Sequence, residues 1–130
     1  MNTNLKITLY PTLAETIELH SRLIQRFGGK IGVRDMGLLE SALMRPQTGY
    51  YKSLSLEAAA LLQSLTQNHP FIDGNKRVAF ASTAILVRMN GFSLKVDPDN
   101  GESFMIETVI KNKASIEVIA DWLEEHMSAV

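Results

Sequence analysis

Two apolar stretches, residues 56–68 and 78–89, are separated by only nine residues, and those nine hold five chemically capable side chains. The second stretch is apolar nearly all round, with Ser82, Thr83 and Arg88 as exceptions. That pattern predicts a central helix packed on several sides. The first stretch is rich in Ala and Leu and reads as a helix that stops near Asn68, because Pro70 pushes His69 away from helical torsions. Asp73-Gly74-Asn75 is turn chemistry that can set Asn75 at the cap of the following helix. The middle of the chain is therefore expected to be helix, tight loop, helix.

The loop runs His69-Pro70-Phe71-Ile72-Asp73-Gly74-Asn75-Lys76-Arg77. A loop that feeds a helix N-terminus offers free main-chain N–H groups and the positive end of the helix dipole, and the two together attract phosphate. Lys76 and Arg77 fall in the first turn, where cations oppose the dipole. A bound anion accounts for them. Asp73 is the lone carboxylate in this basic loop and suits a hard cation such as Mg2+, which takes one or two carboxylates plus substrate phosphate and water. His69 can take a proton near neutral pH and is the natural general base. Each of these residues has an ordinary structural use on its own. Their combination between two nearly uncharged segments favours a site.

Around this centre the chain reads as six helices and an all-α fold. Residues 5–9 alternate apolar and polar and are expected as a short strand or an extended entry segment. Thr12 and Glu15 make a capping box for a helix that Gly28-Gly29 closes. His20 lies on that helix without a partner at metal-ligand spacing and reads as structural. Asp35 can cap a shorter helix ended by Arg45-Pro46. Residues 46–55 break periodicity. Gly91 ends the apolar helix, residues 92–96 alternate briefly, and Asp97-Pro98-Asp99-Asn100-Gly101 reads as a turn. A helix through Phe104, Met105, Val109 and Ile110 follows, and Ser115 caps the last, where Trp122 and His126 are expected to finish the packing.

At 130 residues and 45% hydrophobic, the chain is expected to form a single domain over 1–130. The absence of cysteine removes disulfides and thiolate metal sites and fits a reducing cytoplasm. No stretch is long and apolar enough for a membrane span or a signal peptide, so a cytoplasmic protein is expected. A net charge of −1 argues against a general nucleic-acid binder. The distribution of charge says more: residues 69–95 hold four basic and one acidic residue, whereas residues 96–130 hold two basic and eight acidic. Local phosphate attraction thus survives an acidic average. A P-loop is absent, and one His with one Asp is too small a set for a metal-dependent hydrolase.

The nine-residue loop resembles the signature of the Fic/Doc family, His-x-Phe-x-Asp/Glu-Gly-Asn-Gly-Arg-x-x-Arg, and follows it through Asn75. It then departs twice, with Lys76 in place of glycine and Phe80 in place of the final arginine. Both departures resemble the Doc (death on curing) toxin branch, whose members carry Asn-Lys-Arg and lack the second arginine. Gly32-Val33-Arg34-Asp35, Gly37-Leu38-Leu39-Glu40-Ser41-Ala42-Leu43 and Arg45-Pro46 also look like the N-terminal half of Doc-like chains.

The resemblance implies a Fic-like bundle of about six helices with a short flap or hairpin, the flap falling in residues 46–55 and holding a target peptide. It further implies a toxin kinase that moves the γ-phosphate of ATP to a protein hydroxyl, a threonine of elongation factor Tu, and so arrests translation. His69 would be the base, Asp73 the Mg2+ ligand, and Gly74, Asn75, Lys76 and Arg77 the phosphate clamp, with Lys76 also acting on the transferred group. The partner implied is a cognate antitoxin of the Phd-like kind. AMP transfer, the commoner chemistry of the wider family, remains the alternative, as does a non-catalytic binding module. Ser53 and Glu57 superficially resemble the inhibitory motif of Fic proteins, but Ala58 stands where Gly or Asn is usual, and the segment reads as helix-start chemistry.

Overall fold

Helix, loop, helix is what the middle of the chain forms in the computed structural model, which describes residues 7–130. The elements in order are α1 (Leu13–Phe27), α2 (Met36–Met44), a 3-10 turn (Arg45–Thr48), α3 (Leu54–Gln67), α4 (Asn75–Met89), β1 (Phe92–Leu94), α5 (Pro98–Ser103, continuing as a π-helix over Phe104–Lys111), α6 (Ile116–His126) and β2 (Met127–Ala129). The fold is all-α with one small antiparallel pair, in which Phe92, Ser93 and Leu94 face Ala129, Ser128 and Met127.

α3 shares the central place expected for residues 78–89. It packs against α2, the 3-10 turn, α4, the π-helix and α6. Ala58, Ala59 and Ala60 are wholly buried on it, and such small side chains let neighbouring backbones approach closely. Leu61, Leu62 and Leu65 fill the remaining space with Leu39, Val78, Leu86, Phe104, Ile119 and Leu123. α4 buries Val78, Ala79, Ser82, Thr83, Leu86 and Val87 and turns Ile85 and Arg88 outward.

Four helix starts read from sequence carry the expected caps. Thr12 and Glu15 form the reciprocal box on α1, while Asp35, Ser53 and Ser115 accept from the third residue beyond on α2, α3 and α6. Residues 97–101 differ from expectation. Asp97 accepts from Asn100 N–H at 3.2 Å and Pro98 takes the first helical position, so the segment starts α5 instead of forming a plain turn.

Of the two forms expected for the entry segment, residues 7–9 make no strand, Leu5 and Lys6 lying outside the described residues. A strand needs a ladder partner, and here the Asn90 amide occupies both main-chain groups of Leu9, accepting its N–H at 2.9 Å and donating to its carbonyl at 2.8 Å. Residues 46–55 hold the 3-10 turn, a left-handed Gly49 and a loop tied down by Arg45, which donates to the Tyr51 hydroxyl, Gln63 and Ser64. Phe104 and His126 both stack on Trp122, at 3.8 and 4.0 Å between centroids.

Leu62, fully buried, and Thr12, an exposed cap, bracket the energetics. Leu62→Ala should cost about 2–5 kcal/mol in denaturant unfolding, and Thr12→Ala about 1 kcal/mol. Equal costs would contradict the assigned core.

Candidate active site in the loop between α3 and α4

α3 ends at Asn68, and His69 adopts φ 48°, a left-handed torsion that a residue with a Cβ enters at a cost of about 1–2 kcal/mol. The cost is offset by neighbours that take up the loop's main chain. The Arg34 guanidinium donates from Nε to the His69 carbonyl at 2.7 Å and from Nη2 to the Asn68 carbonyl at 2.8 Å. Arg34 N–H and Asp35 N–H both donate to the Pro70 carbonyl, and Ile72 N–H donates to Gly32. Val33 thereby pairs with Phe71 in a one-residue antiparallel bridge.

Phe71 is buried and stacks flat on His20 of α1, with ring centroids 3.9 Å apart and planes 9° from parallel. His20 is itself buried, and its Nε2 lies 2.7 Å from the Asp73 carbonyl oxygen. It is structural, as expected, and its structure is the site's. The sequence carries the signal faintly, since Thr16, His20 and Ile24 fall four apart on one buried face of α1.

Asn75 was expected at the cap of α4 and is not there. Gly74 is the N-cap, at φ 73°, and a Cβ on it would lie 3.1 Å from Ile24 Cδ1. Asn75 is the first helical residue, and its side chain grips Phe71 instead: Oδ1 accepts the Phe71 N–H and Nδ2 donates to the Phe71 carbonyl, both at 2.9 Å. The reason is local, because glycine tolerates the left-handed torsion that the cap requires here. A glycine cap has no side chain to satisfy the first turn, and the first intrahelical bond is Val78 N–H to Gly74. The main-chain N–H groups of Asn75, Lys76 and Arg77 are left for water or an anion.

Asp73 accepts from Lys30 N–H at 3.1 Å through Oδ2 and from Gly74 N–H at 2.8 Å through Oδ1. The Lys30 and Gly74 amides hold its carboxyl below the usual carboxylate range, with Arg77 and His20 adding smaller pulls against a partial desolvation. A Cβ on Gly29 would stand 2.7 Å from Asp73 Oδ2, so position 29 must be glycine for the carboxylate to reach this place. Among the described residues no group of three or more His, Cys, Asp or Glu could hold a metal. A single ionised carboxylate with exposed oxygens fits a cation that takes its other ligands from phosphate and water.

Two clefts meet at Lys76. The first, about 450 Å³, is lined by His69, Asn75, Lys76 and Lys113 with Thr66, Gln67, Val109 and Ile110. The second, about 460 Å³, lies between α1, α4 and α5 and includes Phe27, Lys76, Arg77, Phe80 and Met105. Lys76 Nζ is 3.7 Å from Glu102 Oε1, an exposed pair of little energetic weight. Arg77 lies over the Phe27 ring at 5.1 Å and donates to the Gly28 carbonyl at 3.3 Å. Of the residues singled out from sequence, His69, Asn75 and Lys76 thus share one cleft and Lys76 and Arg77 the other. Asp73 lines neither and faces residues 29 and 30.

The sequence profile described as the Fic/DOC family matches residues 10–87, which takes in α1, the Arg34 segment, the loop and nearly all of α4. The chain belongs to the Fic/Doc family. It is similar to the protein named Toxin Doc of Mycolicibacterium smegmatis, 45% identical over 93 residues that cover 66% of this chain and 72% of that protein. It is also similar to the protein named Protein kinase doc of Escherichia phage P1, 34% identical over 89 residues that cover 65% and 71% respectively. Both relatives carry the Doc name, which agrees with Lys76 and Phe80 in setting the chain on the toxin branch of the Fic/Doc family.

The Asp73 contacts have a pH signature. A carboxyl held below its unfolded value contributes stability that is present above that value and is lost as pH falls through the folded one. The Lys30 and Gly74 amide resonances should therefore shift together with a midpoint below the ordinary aspartate value of about 3.9. A midpoint at or above that value would contradict the assigned contacts.

Proposed function

We propose that this chain is a Doc-type protein kinase, in which the γ-phosphate of ATP passes to a hydroxyl of a target protein, a threonine of elongation factor Tu, so that translation stops. The observation that supports it best is that His69 and Lys76 face one cleft at a helix N-terminus that has no side-chain cap. In this reading His69 takes the proton of the acceptor hydroxyl while its oxygen bonds to the γ-phosphorus. The bond from that phosphorus to the bridging oxygen breaks, and ADP leaves.

The ammonium of Lys76 and the main-chain N–H groups of residues 75–77 hold the charge that develops on the transferred group, and Arg77 holds the remaining phosphates. Asp73 would hold Mg2+, which when bound neutralises phosphate charge. Asn75 contributes its main-chain N–H and the shape of the loop, its side chain being committed to Phe71. Residues 46–55, where Tyr50 is 77% exposed, are the flap proposed to hold the acceptor segment.

Activity is proposed to be held in check by a separate antitoxin of the Phd-like kind, a small protein with a segment that orders on binding. Within the chain, Glu57 is badly placed to inhibit. It stands twelve residues before His69, at the opposite end of α3, about 18 Å away along a helix, and it accepts from the Tyr10 hydroxyl at 2.9 Å.

The test is incubation with elongation factor Tu and ATP labelled separately at the α- and γ-positions. Label from the γ-position alone should reach the target, and chelation of Mg2+ should abolish transfer. Transfer of α-label would overturn the kinase reading in favour of AMP transfer. His69→Ala should lower the rate by about 10²–10⁴-fold with folding intact. Lys76→Gly should also abolish γ-transfer, because it removes both the ammonium that offsets charge on the transferred group and the side chain that fills the place of the family glycine. An unchanged rate in that variant would leave the clamp to Arg77 and the main chain.

A further inference from the structure

A catalytic histidine is usually oriented by a third group that bonds to its second ring nitrogen. Among the described residues the His69 imidazole has no hydrogen-bond partner, and the residue is exposed. What neighbouring residues hold is its main chain. Three successive carbonyls, those of Asn68, His69 and Pro70, all accept from residues 34 and 35. The Arg34 side chain takes the first two, at 2.8 and 2.7 Å, and the main chain of Arg34 and Asp35 takes the third. Fixing the carbonyls on both sides of one residue fixes its torsions, and here the fixed torsion is the left-handed φ of 48°.

From this we infer that Arg34 is the positioning residue of the proposed base: its guanidinium bridges the peptide that carries His69 and holds the imidazole toward the cleft it shares with Lys76. The inference rests on the role of His69 proposed above. Arginine suits the task because one planar fork presents two donors at a fixed separation, whereas the ammonium of lysine is a single point on a flexible stem. A plain helix C-cap would also place a cation on the last carbonyls of α3. It would not need the bridge to extend to the carbonyl of a residue already outside the helix, or to share that residue's neighbour with the main chain of the same arginine.

The test uses Arg34→Met, Arg34→Lys and the double variant Arg34→Met with His69→Ala, assayed for γ-phosphate transfer with melting and helical circular dichroism in parallel. Arg34→Met should lower kcat by roughly 10- to 100-fold, the scale of a small misplacement of a catalytic group, with the KM for ATP nearly unchanged. Arg34→Lys should fall between Arg34→Met and the parent. In the His69→Ala background Arg34→Met should cost nothing further, because the group it positions is gone.

An unchanged kcat in Arg34→Met, or the same fold-loss with and without His69, would overturn the inference while leaving the base in place. Full activity in His69→Ala alone would instead remove the reading on which it rests. If Arg34→Met proved unfolded, the comparison would pass to Arg34→Lys, and a lysine variant with the parent's kcat would overturn the bridge.

Discussion

A loop between two buried helices must find partners for its own peptide groups, and in this molecule that requirement is met from elsewhere in the chain. Residues 69–74 lie outside any helix, with only the one-residue bridge at Phe71 as regular pairing. Arg34 takes the carbonyls of Asn68 and His69, the main chain of residues 32–35 takes the Pro70 carbonyl and the Ile72 N–H, His20 reaches the Asp73 carbonyl from α1, and Asn75 closes on Phe71. Buried peptide groups left without such partners would each cost about 1–3 kcal/mol. The positions of α1 and the 28–35 segment follow from this need as much as from apolar packing.

With the loop so held, the electrostatics of α4 follow. Gly74 caps the helix without a side chain, Asp73 is drawn back onto the Lys30 and Gly74 amides, and Lys76 and Arg77 stand in the first turn. Cations at the positive end of a helix dipole weaken the empty protein, so the arrangement makes physical sense with an anion in place. Glu102 offers Lys76 only a loose, exposed partner at 3.7 Å, too weak an ion pair to settle the first turn by itself.

Much of this was legible in the sequence, and for a common reason: the signals are local. Thr12 with Glu15, Asp35, Ser53 and Ser115 each announce a helix within three residues, and Pro70 announces a break. The nine-residue loop is legible as a candidate site because its residue types converge within nine positions. What escaped depends on contacts distant in sequence. Arg34 lies 35 residues from His69, and nothing in Gly-Val-Arg-Asp says which carbonyls its guanidinium will find. Pairing of residues 92–94 with 127–129 is invisible without the fold between them. Asn75 was misplaced because asparagine and glycine compete for the same cap, and the left-handed torsion at Gly74 decided it. At 97–101 the same residue types serve a turn or a helix start, and here Asp97 caps Asn100 N–H with Pro98 in the first helical position.

The π-helix at Phe104–Lys111 sets the wall of the cleft opposite His69. Its wider winding is seen where Asn112 N–H bonds to the Glu107 carbonyl, five residues back instead of four. Such a stretch carries the equivalent of an extra residue, which an α-helix over the same span would not hold. In an α-helix each residue turns the chain by about 100°. The register of this segment therefore works as an angular gear: it sets which of Val109, Ile110 and Lys113 turn toward the cleft. A relative one residue shorter here would keep every helix and the whole loop, yet present a different wall to whatever enters beside His69.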